Sequence, residues 1–331
     1  HPLGRPRAGS LGWAPAGSAR GERQVAVAPR TRAVVLGLAQ QRWVSRFITR
    51  HGLRLGARRF VAGERLEDGL AVVARLNREG IEATLDYLGE SVQEEAQARA
   101  AAQVYLQVVE AIAERILRGH ISLTPSQLGL DLDRELALEL VGAIVARAEA
   151  RGTFVRLDME DSSRTQRTLD LFAALRQRWE NVGIVIQAAL RRSEADLEAL
   201  ARMGANVRLC KGAYLEPPEV AFPRKEDVDA NYTKLLRGYL ASGNYLAVAT
   251  HDDRMIEAAK RAAAELGIGR DRFEFQMLYG IRPQAQRRLV AEGYRVRVYV
   301  PFGTEWYPYF TRRLAERPAN LLFFLANLVR R

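Results

Sequence analysis

Three features of this 331-residue sequence predict an α/β chain closed as a (β/α)8 barrel. Eight short apolar or β-branched runs recur along it, and helix-patterned stretches separate them. Successive runs start about 23 to 40 residues apart, the length of one βα unit. Strict alternation of strand and helix makes the sheet parallel, and eight such units close naturally on themselves.

The runs, in order, are IEATLDYLG, HISLTPSQLG, TFVRLDMED, VGIVIQAAL, ANVRLCKGAY, YLAVATHDD, FEFQMLYG and RVRVYVPFG. Between them lie stretches such as TLDLFAALRQRWE, EADLEALARMG, MIEAAKRAAAELG and PQAQRRLVAEG, several ending at the glycine that follows a helix C-terminus. An open doubly wound sheet is the competing architecture. Its dinucleotide form carries GxGxxG after the first strand, and neither that motif nor a Walker A loop occurs. The barrel is preferred.

Ahead of the first run the chain changes character. Residues 1 to 30, rich in Gly, Ala, Pro and Arg, read as a disordered basic segment; residues 31 to 80 read as an amino-terminal helical arm and residues 81 to 331 as the barrel. The net charge of +11 is local, because residues 1 to 60 hold 12 Arg, no Lys and one acid, Glu22, whereas the other 38 basic and 38 acidic residues cancel. A basic tail on a neutral body is a poor nucleic-acid reader, since the arm offers little aromatic interleaving beyond Trp13 and Trp43.

The longest apolar runs fall far short of the roughly 20 residues of a spanning helix. RAVVLGLAQQRWVSRFITRHGLRL has the pattern of a basic amphipathic helix that packs on the body or, alternatively, lies on a membrane surface. A cytoplasmic location is expected, peripheral at the inner membrane if that helix meets lipid, and mitochondrial instead if the acid-poor first 30 residues are a transit peptide. The single cysteine, Cys210, excludes an internal disulfide and reads as a packing residue within VRLCK. His1, His51, His120 and His251 show no HExxH or Cys/His spacing, so no metal site is expected.

Active sites of (β/α)8 barrels sit at the C-terminal ends of the strands. At those ends the sequence places Asp86 and Glu90, Thr124, Asp158 and Glu160, Gln187, Arg208 and Lys211, Thr250 and His251, Gln276 and Tyr279, then Tyr299. Any one of these serves equally well as a cap or turn residue; together, on one rim, they define a polar pocket. Arg208 and Lys211, beside a Gly-Ala pair that lets backbone approach a ligand, suit a phosphate or pyrophosphate, although an arginine can also tie strand ends together through carboxylates. Arg312 and Arg313 stand side by side in YFTRRLAE, about 100° apart on a helix, so both can reach one anion or both can be surface charges. With no GxSxG and no cysteine in a polar loop, redox chemistry carried by a bound cofactor fits better than covalent catalysis.

The segments LDYLGE, RLDMEDS, VGIVIQ, VRLCKGAYLEP, VAFPRKEDVDANY, VATHD, FEFQMLYG and RVYVPFGTEWYPYFTRRLAERPAN closely resemble, in order and spacing, the proline dehydrogenases. The resemblance covers about residues 32 to 331. It implies a distorted (β/α)8 barrel that binds FAD noncovalently and oxidises L-proline to Δ1-pyrroline-5-carboxylate, with hydride passing from C5 to flavin N5 and electrons then to a membrane quinone. It also implies roles. FAD would be held by residues at Gln187, Arg208, Lys211, Gly212, Ala213, Thr250, His251 and Glu316, with Arg208 near N5 and Lys211 near the pyrophosphate. The substrate pocket would use Asp158, Tyr214, Leu278, Tyr299 and Tyr309, with Arg312 and Arg313 on the proline carboxylate and Glu90 pairing with Arg312 as a gate. Guanidinium forks suit a carboxylate, and tyrosines cover an apolar ring.

One departure from the family pattern stands out. Its second strand ends in a lysine, whereas this chain reads ISLTPSQLG and places Thr124 there. A lost charged hydrogen bond removes roughly 1.5 to 3 kcal/mol, about one to two powers of ten in rate, and would leave Asp158 without that partner. The strand-four continuation QAALRRS also lacks the family's aromatic residue. Weakened proline oxidation, or a non-catalytic barrel that senses proline or flavin, is therefore the alternative expectation.

Overall fold

The computed structural model describes residues 57–89 and 91–316, and side chains as far as Arg313. Residues 1 to 30, and most of the arm expected from 31, lie outside the described residues. Eight parallel strands form one closed barrel in sequence order: β1 Glu82–Tyr87, β2 Gly119–Leu123, β3 Val155–Leu157, β4 Val182–Gln187, β5 Asn206–Cys210, β6 Leu246–Ala249, β7 Phe273–Leu278 and β8 Val296–Phe302. β8 returns to β1 over six paired residues, from Glu82 against Arg297 to Tyr87 against Phe302. Seven of the eight predicted runs contain their strand, and β2 begins one residue before its run, at Gly119.

The strands read in period two. Leu85, Ile121, Val155, Ile184, Val207, Val248, Phe275 and Val298 are fully buried in the apolar shell beneath the helices. The alternate positions, including Asp86, Ser122, Arg156, Asp158, Arg208, Glu274, Gln276, Arg297 and Tyr299, are polar, and hydrogen bonds joining strands that are not neighbours place Ser122, Asp158, Arg208 and Gln276 inside the barrel. A polar barrel interior is costly unless its groups pair, and most of these do.

Nine helices are described: α1 Leu66–Arg78, α2 Glu95–Glu114, α3 Arg134–Ala150, α4 Ser162–Arg176, α5 Ser193–Arg202, α6 Lys225–Ala241, α7 Asp253–Glu265, α8 Pro283–Ala291 and α9 Trp306–Glu316. α1 seals the barrel seam by packing on β1 and β8, and Gly69 permits this approach: a Cβ there would lie 2.9 Å from Leu85 and 3.4 Å from Phe302. α9 follows β8 directly and is fixed by a second apolar cluster of Phe60, Val61, Ile281, Trp306 and Phe310. That cluster holds α9, and with it Arg312 and Arg313, over the strand tips.

Candidate active site

A cavity of about 1030 Å³ occupies the C-terminal mouth of the barrel. Fifteen predicted site residues line it: Thr124, Asp158, Gln187, Arg208, Lys211, Gly212, Ala213, Tyr214, Thr250, His251, Leu278, Tyr299, Tyr309, Arg312 and Arg313. Glu90 lies outside the described residues. Glu316 ends α9, and its side chain is likewise outside the description.

Three expected strand-end positions are corrected. Arg208, Gln276 and Tyr299 sit within β5, β7 and β8, not beyond their tips, and reach the cavity from inside the barrel. Tyr279 does not join the pocket; its hydroxyl accepts a hydrogen bond from Arg75 Nη2 at 3.0 Å, tying β7's end to α1. Cys210 is half-buried on the cavity wall, where burial pushes its thiol up to about 11 and leaves it an unreactive thiol.

Asp158 is the hub. Arg208 Nη1 donates to its Oδ1 at 2.7 Å, Ser122 Oγ donates to the same oxygen at 2.6 Å, and Tyr299 donates to Oδ2 at 2.9 Å. Although Thr124 supplies no lysine partner, Asp158 is still paired with a cation, because Arg208 reaches it across the barrel. Thr124 itself precedes the 3-10 turn Pro125–Leu128 and makes no side-chain cap there. Asp86, on neighbouring β1, is 3% exposed; burial and then the charge of Asp158 push its carboxyl up to about 7, against the opposing hydrogen bonds of Tyr299 and Tyr105. Burial likewise raises Glu160, although Ser126 donates to it through both N (3.1 Å) and Oγ (2.7 Å).

Arg208 and Lys211 do not act as one cationic pair. Arg208 serves as the strand tie weighed from sequence, joining β5 to β2, β3 and β7, while it also faces the cavity. Lys211 Nζ donates to Asp229 at 2.5 Å and Asp252 at 2.8 Å, and Arg254 joins the same carboxylates. Burial alone would raise Asp252, but hydrogen bonds from Arg254 and Lys211 hold it well below the ordinary range. Lys225, on the wall of the cavity, donates to Asp229 from the first turn of α6. Three cations thus share two carboxylates, leaving one positive charge in excess at this end of the cavity.

The remaining walls suit a long, partly polar ligand. Gly212 adopts φ +113°, open to glycine, and a Cβ there would meet Gln187 Oε1 at 3.3 Å. Gln187 Nε2 donates to the Glu160 carbonyl at 2.8 Å, and His251 Nε2 accepts from Leu278 N at 2.9 Å, so both side chains are pre-oriented. Among the described residues no group of three His, Cys, Asp or Glu side chains is placed to hold a metal, and no helix is long and apolar enough to cross a membrane.

Sequence reading missed Ser122, Tyr105, Asp229, Asp252 and Lys225. Ser122 was accessible as an inward member of the period-two pattern, and Lys225 with Asp229 as an i,i+4 pair at a helix start. Tyr105 gave no signal, because its place in α2 looks like any core aromatic.

Fold and site define an enzyme of the (β/α)8-barrel class with its pocket at the strand C-termini. The family model described as "Proline dehydrogenase" matches residues 70–325. Proline dehydrogenase 1 of Bacillus subtilis (strain 168) is 46% identical over 300 residues, covering 91% of this chain and 99% of that protein. Proline dehydrogenase of Deinococcus radiodurans is 42% identical over 304 residues, covering 90% and 98%. Among solved structures, proline utilization A from Bdellovibrio bacteriovorus, inactivated by N-propargylglycine, superposes with a TM-score of 0.76 at 26% identity, over 86% of this chain and 36% of that one. The chain belongs to the proline dehydrogenase family, flavin-dependent enzymes that oxidise proline.

Proposed function

We propose that the protein binds FAD noncovalently in the barrel-mouth cavity and oxidises L-proline to Δ1-pyrroline-5-carboxylate. The observation that carries this reading is that Arg312 and Arg313 line the same cavity as Tyr299, Tyr309 and Asp158, with Arg313 over the Tyr309 ring, Tyr309 stacked on Tyr299 and Tyr299 bonded to Asp158. The residues present fit the cofactor: glycine at 212 leaves room beside Gln187, and the cationic cluster around Lys211 suits a pyrophosphate. Gln187, Arg208, Lys211, Gly212, Ala213, Thr250, His251 and Glu316 would hold FAD, which when bound supplies the two-electron acceptor for hydride leaving proline C5.

The chain's own side chains do the rest. Arg312 and Arg313 take the carboxylate as planar forks, and Tyr214, Leu278, Tyr299 and Tyr309 cover the ring and exclude water. Asp158, fixed by three donors, keeps Arg208 and Tyr299 in register with the substrate. Glu90 closes the site on Arg312. Electrons leave to a quinone, from a cytoplasmic or peripheral position at the inner membrane or, in the alternative, from a mitochondrial one.

One observation favours a second reading, a weakened enzyme or a proline or flavin sensor: Thr124 faces the cavity with no cation of its own. The deciding experiment is a visible absorption spectrum of the purified protein, followed by stopped-flow mixing with proline. A yellow protein that bleaches supports oxidation; a flavin that stays oxidised supports the sensor, and colourless protein that takes up no FAD removes oxidation and the flavin sensor, leaving the proline sensor alone.

A further inference from the structure

We propose that Glu274, which does not line the cavity, is a positioning residue for Arg208, acting through the amide of Gln276. Glu274 and Gln276 are two apart on β7 and therefore share the inward face. Glu274 accepts four hydrogen bonds: from Arg297 Nε at 2.8 Å and Nη2 at 3.1 Å, from Tyr245 Oη at 3.0 Å, and from Gln276 Nε2 at 2.5 Å. Burial would raise its carboxyl, yet the Arg297 fork holds it well below the ordinary range. An ionised carboxylate only accepts.

The consequence runs up the strand. Gln276 must turn its NH2 toward Glu274, which points Oε1 at Arg208, whose Nε donates to it at 2.5 Å. Arg208 Nη1 is fixed at the other end by Asp158 and Ser122, at 2.7 and 3.2 Å. With Nε and Nη1 both engaged, the guanidinium plane is set against the Tyr299 ring, 5.4 Å from its centroid. The amide in the opposite sense would face donor against donor and free one end of Arg208 to rotate. Glu274 therefore sets the hydrogen-bond polarity of the relay while remaining out of ligand reach.

This assignment rests on the proposed function for what Arg208 faces, so its test reads the flavin and the arginine separately. Removing Glu274 alone leaves Arg297, 3% exposed, with Glu82 as its remaining carboxylate partner and an unbalanced buried charge beside Gln276, so two paired variants are used. Glu274→Met with Arg297→Met removes the pair and keeps the volume. Glu274→Lys with Arg297→Glu keeps an ion pair but puts a donor beneath Gln276, forcing the amide to reverse. Both are loaded with FAD, and sulfite uptake at the flavin is titrated by absorbance, because that anion is stabilised by a well-placed cation near N5. The expected result is a sulfite affinity about 3-fold weaker in the apolar pair and at least 10-fold weaker in the swapped pair, with the proline KM moving less than kcat. If the swapped pair does not fold, the apolar pair decides alone. Wild-type sulfite affinity in a folded, flavin-loaded variant overturns the assignment.

If the wild-type protein takes up no flavin, the functional reading fails, and hydrogen exchange at Arg208 Nε–H decides this one. Its NMR signal, assigned by loss in Arg208→Lys, exchanges faster in the apolar pair if Glu274 positions it; equal rates overturn the proposal.

Discussion

Tyr299 of β8 and Tyr309 of α9 stack with ring planes 12° apart and centroids separated by 6.5 Å. Each ring carries an arginine: the Arg208 guanidinium lies 5.4 Å from the centre of Tyr299, and that of Arg313 lies 5.0 Å from the centre of Tyr309. The stack joins the barrel wall to the helix that closes it. Aromatic stacking contributes about 0.5–1.5 kcal/mol and each partly desolvated cation–π contact a similar amount, so the four groups add to the apolar cluster that holds α9. Tyr309→Ala is expected to lower kcat/KM for proline about 100-fold, mostly through KM, and to lower the melting temperature by several degrees. Steady-state kinetics with calorimetry checks both; unchanged KM would mean that the stack does not place the arginines.

Thr124 tests the reaction from the other side. Adding a cation where Thr124 lines the cavity supplies a charged hydrogen bond worth about 1.5–3 kcal/mol to a bound carboxylate. Thr124→Lys is therefore expected to raise kcat/KM for L-proline at least several-fold. An unchanged or lower value would show that the network of Arg208 on Asp158 already does this work.

The barrel was legible because its outward strand positions, such as Leu85, Ile184 and Phe275, give an uninterrupted apolar signal at βα spacing. The inward positions were harder. From sequence, Arg208, Gln276 and Tyr299 fit strand tips, since a polar side chain inside a barrel contradicts the usual apolar filling; only a partner on a distant strand, such as Ser122 for Arg208, makes the inward position stable. Thr124 was identified as unusual from its segment alone, but that Arg208 pairs with Asp158 depends on closure across the barrel, which no local pattern encodes.

Asp86 gives a pH dependence with a definite sign. Its carboxyl, at about 7 in the folded protein against 3.8 ordinarily, faces Asp158 from β3, Tyr299 from β8, Tyr105 from α2 and Arg208 from β5. Below pH 4 it is neutral folded or unfolded. As pH rises from 4 to 7 the unfolded chain loses this proton first, so the folded state binds more protons and this group's contribution to stability falls with pH, levelling off above 7. Asp86→Asn keeps a hydrogen-bond acceptor for Tyr105 and removes the titration. The variant is expected to lose part of that decline and to be more stable than wild type at pH 8, by an amount on the order of 1 kcal/mol or more. Melting temperatures from pH 4 to 8 measure it; parallel profiles for the two proteins would contradict the assignment.

Ile116 offers a test of the scaffold alone. Five helices, α1, α3, α5, α7 and α8, are followed by a left-handed glycine, Gly80, Gly152, Gly204, Gly267 and Gly293, and the next N–H bonds back to the last turn, as Ile268 N does to Ala263 O at 2.8 Å. α2 ends the same way, with Leu117 N donating to Ile112 O at 3.0 Å, but the left-handed position is Ile116, at φ 53° and 90% exposed. A β-branched residue there costs roughly 1–2 kcal/mol, and its exposed side chain recovers almost nothing by burial. Glycine relieves that cost while giving back about 0.5–1 kcal/mol of unfolded-state entropy. Ile116→Gly is therefore expected to stabilise the protein by about 0.5–1 kcal/mol, raising the melting temperature by a degree or two without changing proline turnover. A lower melting temperature would mean that this isoleucine is covered by something the fold alone does not supply.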